Sequence, residues 1–239
     1  AVAREIGDHP SESTAFGNLG FIASLQGQFS EAQQYLEQAL AAAHEWGEIY
    51  DEIFVLSNLS ANAGIQNQTA MALQYAEQAI ALAEKVGEMS GQAWGWMYLG
   101  YAQLSADRVD DARVSFENAL QIREKLGQSA LSMEPLAGLI EVGLRAQQLD
   151  LAAEGTEKIL NHLQNGGTLN GTDEPLRVYH SCYQFLEKTQ NPRSAQVLQA
   201  AMQMLETQVA KLNDERSRQM YIENVPWRLA LKNAASKAV

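Results

Sequence analysis

EKVGEM, residues 84–89, places a glycine after a long run of good helix formers, and that glycine recurs. Gly47 follows HEW, Gly127 follows EKL, Gly7 follows REI and Gly167 follows LQNG. The five stand at 7, 47, 87, 127 and 167, 40 residues apart each time. A fixed period of this length is the mark of a stacked repeat, in which each unit buries its apolar face against its neighbours. Glycine enters the left-handed region without a Cβ clash, which is how many helices end. Each periodic glycine is therefore read as the end of one helix and the start of a new unit.

Aligned on the glycine, the rest of the chain falls into columns. Leu19, Leu59, Leu99 and Leu139 form one, and Ala32, Ala72, Ala112 and Ala152 a second. Leu36, Ala76, Phe116 and Thr156 form a third, and Ala39, Ala79, Ala119 and Ile159 a fourth. Apolar residues recur at helical spacing in two segments per unit. First helices are expected near 13–26, 51–64, 90–105 and 130–146, and second helices near 30–46, 69–86, 110–126 and 150–164. Ser30, Thr69, Asp110 and Asp150 are the expected N-caps, with Phe29, Val109 and Leu149 as apolar staples before three of them. Gly20, Gly100 and the alanines let helices approach closely, and the Leu and Phe columns fill the gaps.

A fifth unit has altered spacing. The Gly-rich stretch at 165–175 lengthens the loop, a first helix follows from Leu176 to Lys188, and Asn191-Pro192 opens a second. Further helices are expected over 214–224 and from Pro226. The organisation expected is the end of a preceding repeat over 1–12 and a repeat array over 13–212. Its units are 13–50, 51–89, 90–129, 130–172 and 173–212, with capping helices and a tail over 213–239.

Composition narrows the function classes. One cysteine, Cys182, excludes an internal disulfide framework, and the four histidines show no metal spacing. No apolar run approaches the roughly 20 residues that span a bilayer. The start AVAREIGD carries neither an initiator Met nor a signal pattern and is read as the tail of a helix in a longer, cytoplasmic protein. Residues 1–186 carry a net charge of −15 and residues 187–239 one of +3. Such an acidic surface repels phosphate backbones, so nucleic acid is not an expected partner. The basic charges of the tail alternate with acids and are read as a solvated helix face.

The third unit carries a recognisable pattern. Trp96, Leu99, Gly100, Ala112, Phe116 and Ala119 give Trp-x2-Leu-Gly followed by Ala-x3-Phe-x2-Ala, which resembles the tetratricopeptide repeat. The usual unit has 34 residues and a closing proline. The 40-residue unit ending in glycine resembles the longer repeats of bacterial signal-transducing NTPases, including the maltose-regulon activator class. The runs GGTLNGTDEPLRVYHSCYQFLE, NPRSAQVLQAAMQMLE and DERSRQMYIENVPWR resemble the C-terminal region of large bacterial STAND-type regulators. The resemblance implies an all-α, right-handed α-solenoid of about five helical hairpins with C-terminal capping helices. It also implies an ATPase core elsewhere, since no G-x-x-x-x-G-K-[ST] occurs in this chain.

No acid, base and nucleophile come together in the sequence, so no enzyme and no cofactor are expected. Cys182 falls in the Leu19 and Leu99 column and is read as a packing residue. Asp107–Asp111 and Asp173-Glu174 are read as acids serving helix starts. In stacked hairpins the first helices line the concave face. Projection onto that face gives Asn18, Phe21, Phe54, Asn58, Asn62, Trp94, Met97, Tyr98 and Tyr101 as the candidate binding set. Glu134, Glu141, Arg145, Arg177, His180 and Gln184 continue it with charge. Aromatics supply anchors and amides can bond an extended peptide backbone. The expected function is a non-catalytic module that binds a protein, a peptide or a small ligand and regulates an attached ATPase. The alternative is a structural scaffold or homo-oligomerisation arm without a groove ligand.

Overall fold

The computed structural model describes residues 9–237, so Gly7 and the rest of the expected preceding repeat over 1–8 lie outside the described residues. Twelve helices and no strand occur among the described residues. They are α1 His9–Leu25, α2 Phe29–Trp46, α3 Ile49–Ile65, α4 Thr69–Val86, α5 Met89–Ser105, α6 Val109–Lys125, α7 Met133–Arg145, α8 Leu149–Gln164, α9 Pro175–Lys188, α10 Arg193–Val209, α11 Glu215–Glu223 and α12 Pro226–Lys237. The fold is all-α and built of helical hairpins. None of these helices is long and apolar enough to cross a membrane. The chain forms two compact units, one ending at Arg108 and one beginning at Val109.

The glycine period does end helices. Gly47, Gly87 and Gly127 have φ of 71°, 71° and 67°. Behind each, the next N–H reaches back to close the turn: Glu48 to Ala43, Glu88 to Ala83 and Gln128 to Arg123, all at 2.9 Å. The fourth member departs. Gly166, at φ 82°, takes the left-handed place, and the Gly167 N–H closes the turn on the His162 carbonyl at 2.9 Å.

A second 40-residue column of left-handed residues ends the first helices: Gly27, Asn67, Asp107 and Gln147, with Gln190 as the fifth after the lengthened loop. Closing bonds repeat there from Gln28 to Ala23, Gln68 to Ala63, Arg108 to Gln103, Gln148 to Gly143 and Asn191 to Leu186. This turn corrects the expected caps. Second helices begin one residue early, at Phe29, Val109 and Leu149, with Gln28 and Gln148 as N-caps that make no side-chain bond. Thr69 is likewise helical, after Gln68. Three residues suffice to turn the chain, so Ser30, Asp110 and Asp150 sit inside the first turn. There the two acids favour the helix dipole.

In the first unit, α1 packs on α2, α2 on α3, α3 on α4 and α4 on α5, while the first helices α1, α3 and α5 also meet side by side. All four alanines of the Ala32 column are fully buried, and so are Leu36, Ala76, Phe116 and Thr156. Leu59 packs with Leu36 and Ala39 of the preceding second helix, and Leu99 with Ala76 and Ile80 of its own. A Cβ on Gly20 would stand 2.6 Å from Leu36 Cγ, so α1 and α2 approach closely only because glycine is there. Leu19 breaks its column: it is 46% exposed, and Ile22 on the same face is 50% exposed. No described second helix precedes α1 to cover them.

In the second unit, α7 packs on α6 and α8, α9 meets α7, α8 and α10, and α12 closes on α9, α10 and α11. Leu231 and Val225 are fully buried at this end. Phe116 lies where a Cβ on Gly138 would be 2.4 Å from its ring. Cys182 is buried as expected, and burial pushes its thiol up to about 12.

Candidate binding face

Three first helices, α1, α3 and α5, carry the candidate set. Asn18 is exposed and Phe21 half-buried on α1. Phe54 on α3 is 38% exposed and meets Phe21 edge to face, ring centroids 6.0 Å apart at 64°. It lies across α1 where Gly17 lacks a side chain: a Cβ there would stand 3.4 Å from Phe54 Cε1. On α5, Trp94 and Tyr98 stack one turn apart, centroids at 6.1 Å and planes 17° apart, and Tyr101 is half-buried beside them. Phe21, Phe54, Trp94, Tyr98 and Tyr101 thus each retain partial exposure on the first helices of one unit.

Three expected members behave differently. Asn62 is fully buried and Met97 nearly so. Asn62 Nδ2 donates to the Phe29 carbonyl at 3.2 Å and to Gln33 Oε1 at 3.0 Å, joining α3 to the start of α2. Asn58 is buried, and its Nδ2 donates to the Phe54 carbonyl at 2.8 Å. The cause is helical drift. At about 100° per residue, Asn62 lies about 80° round α3 from Phe54 and Met97 about 60° round α5 from Trp94. Both therefore turn into the packed sides, and the side-chain amides of Asn58 and Asn62 donate within the protein, while Asn18 stays exposed.

The same columns in the second unit hold a different chemistry. Glu134 stands 40 residues after Trp94, and Glu141 40 after Tyr101. Glu134 is buried on α7, and its Oε1 accepts the Glu174 N–H at 2.9 Å. Burial, then the nearby Asp173 charge, hold its carboxyl well above the ordinary range. Burial also works to raise Glu141, but Arg177 outweighs it and leaves that carboxyl below its usual value. Arg177 donates to Glu141 through two nitrogens at 2.9 and 3.0 Å, and Ser181 Oγ adds a bond of 3.1 Å. Beside them, burial lowers His180 to about 4.

Glu174 ties this group to the C-terminus. Its carboxylate accepts from Trp227 Nε1 at 2.9 Å and from the Arg228 guanidinium at 2.5 Å. Arg228 is buried and lies 3.9 Å from the Tyr221 ring centroid, while Arg177 lies 4.7 Å from that of Trp227. Glu174 does stand at the start of its helix, as expected, and one expectation is corrected: Arg228 does not belong to a solvated face. The partners are 53 and 54 residues apart and follow no period, so the repeat pattern gave no signal for them. No group of three His, Cys, Asp or Glu that could hold a metal ion occurs among the described residues.

Residues 1–45 match the family model of the tetratricopeptide repeat. Within that segment, Leu19, Gly20, Ala32, Leu36 and Ala39 hold the positions that Leu99, Gly100, Ala112, Phe116 and Ala119 hold in the third unit. The crystal structure of BtubC (BKLC) from P. vanneervenii is similar over 90% of this chain and 94% of that chain, with a TM-score of 0.61 and 14% identity. That likeness shows a shared fold. No curated protein matches the sequence. Tetratricopeptide repeats are in general protein-interaction modules, and the fold is one that is typically non-catalytic.

Proposed function

We propose that this chain is a non-catalytic interaction module that holds an extended peptide segment of a partner protein on α1, α3 and α5. The observation that carries the reading is the set Phe21, Phe54, Trp94, Tyr98 and Tyr101, large aromatics that stay partly exposed on helices where Leu59, Ala63, Leu99 and Ala102 are buried. Aromatics lose little rotamer freedom on binding, and a hot-spot anchor contributes on the order of 2 kcal/mol. Successive first helices repeat the anchors, so one extended segment touches several. The resemblance of residues 130–228 to STAND-type regulators supports a place in a larger cytoplasmic signal-transduction protein. The module there biases an attached ATPase.

Selection of peptides from a random library on the immobilised protein, followed by calorimetry with Trp94→Ala/Tyr101→Ala, tests this. Loss of affinity with the fold retained supports the lane. Full affinity in the double variant removes the site from this face.

A second reading rests on Leu19 and Ile22. Their columns are buried wherever a second helix precedes them, so this edge of α1 suits a further repeat helix. Self-association through this edge is the scaffold alternative.

A further inference from the structure

We infer that the segment held on α1, α3 and α5 is basic: Lys or Arg side chains alternating with apolar ones. The inference rests on the peptide-binding reading above and adds the chemistry of the ligand.

Charge complementarity carries it. Residues 9–108 contain two basic residues, Lys85 and Arg108, against eleven acidic ones, a net charge of −9. The acids gather at one end of the first helices. Glu12 lies in the first turn of α1, Asp51 and Glu52 in that of α3, and Glu88 caps α5. Ser13 and Thr14 hydroxyls both donate to Asp51, the latter at 2.7 Å, which brings the starts of α1 and α3 together. Helix starts favour acids in any protein, so these alone make no site. Their effect is on what the adjoining aromatics can hold. An acidic segment laid over Phe54 and Trp94 meets a field of its own sign, whereas a basic one is drawn in.

Aromatic faces add a second preference with the same sign. A guanidinium or ammonium over a Trp or Tyr face gains from the ring quadrupole. The second unit shows this chain's own cations settled in that way, Arg228 over Tyr221 and Arg177 over Trp227. Trp94, Tyr98 and Tyr101 present partly open rings of the same kinds, in a region with a large excess of negative charge.

Three synthetic ten-residue peptides separate the possibilities by calorimetry: alternating Leu and Arg, alternating Leu and Ser, and alternating Leu and Glu. The Arg peptide is expected to bind at least about tenfold tighter than the Ser peptide, and the Glu peptide weakest. High salt should narrow that gap. Trp94→Leu/Tyr101→Leu keeps apolar bulk but removes the rings, and a matching thermal midpoint shows that it folds. It should lose most of the Arg preference while holding the Ser peptide. Equal binding of Arg and Ser peptides overturns the basic ligand and leaves the lane standing. An Arg preference unchanged in the Leu variant shows attraction by the whole surface and also overturns it. If none of the three binds, the peptide lane itself fails. Should the Leu variant not fold, Tyr101→Leu alone gives the same comparison.

Discussion

The columns that hold Trp94 and Tyr101 in the first unit hold Glu134 and Glu141 in the second. The backbone is the same repeat; the side chains divide its labour. Where the column is aromatic, Phe21 packs against Phe54 of the next first helix and Trp94 against Tyr98 of its own, and each residue stays partly exposed. Where it is acidic, Glu134 is buried and tied to the Glu174 backbone, and the half-buried Glu141 is tied to Arg177. The Glu174 side chain in turn holds Trp227 and Arg228 of the last helix. A solenoid must end somewhere, and an apolar edge left at the end invites association. The second unit closes its end with an ion-paired helix. The first keeps five aromatics partly exposed.

The largest effects should come from the closed half. Phe116→Ala empties a fully buried site against Gly138 and should cost about 3–5 kcal/mol in chemical denaturation. A loss below about 1 kcal/mol would mean that the column is not core. Arg228→Ala leaves Glu174 facing Trp227 without its cation and should cost about 3–5 kcal/mol, because breaking a buried pair strands the other charge. Trp94→Ala, on the open half, should cost much less than either.

Acid should also separate the halves. His180 is lowered from 6.5 to about 4, so the unfolded chain binds the proton first. Its contribution is complete above pH 6.5 and is lost as pH falls toward 4. Glu141, held below its usual value, adds a loss at still lower pH. Glu134 works the other way: its raised carboxyl favours the folded state at low pH and loses that contribution as pH rises. Amide exchange followed from pH 7 to 4 should show protection falling in α9 before α3. Equal loss in both would contradict this assignment of the titrating groups.

The smallest effect is at the edge of the first unit. Leu59→Ala should cost about 2–5 kcal/mol, while Leu19→Ala, at the same column but half exposed, should cost under about 1. A large loss at Leu19 would show that another helix already covers it.

The repeat was legible because burial enforces it. The Ala32 column is alanine throughout, and the Leu36 and Ala39 columns stay buried while their size ranges from Ala76 to Phe116, so burial rather than one residue type keeps the columns readable. The turn after each first helix was harder to read. Asn67, Asp107 and Gln147 do the work of Gly27, so residue identity hides a period that φ reveals. For the binding set, aromatic positions followed from projection, but Asn62 and Met97 were misplaced by a partial turn of helix. The C-terminal lock stayed invisible because Glu174 and Arg228 pair across a distance that no repeat specifies. Read one by one, Glu174 is an acid at a helix start and Arg228 part of a solvated face.

The direct test sets one change in each half against the same ligand. A library-selected peptide is titrated into Trp94→Ala/Tyr101→Ala and into Glu141→Ala, with the denaturation midpoint of each variant measured alongside. The division predicts that the aromatic variant loses at least about tenfold in affinity with little change in midpoint. It predicts that Glu141→Ala loses stability, the two-nitrogen bond to Arg177 being removed, while binding the peptide normally at a temperature where it is folded. Full affinity in the aromatic variant, with binding lost in the folded Glu141 variant, would reverse the roles assigned to the two halves.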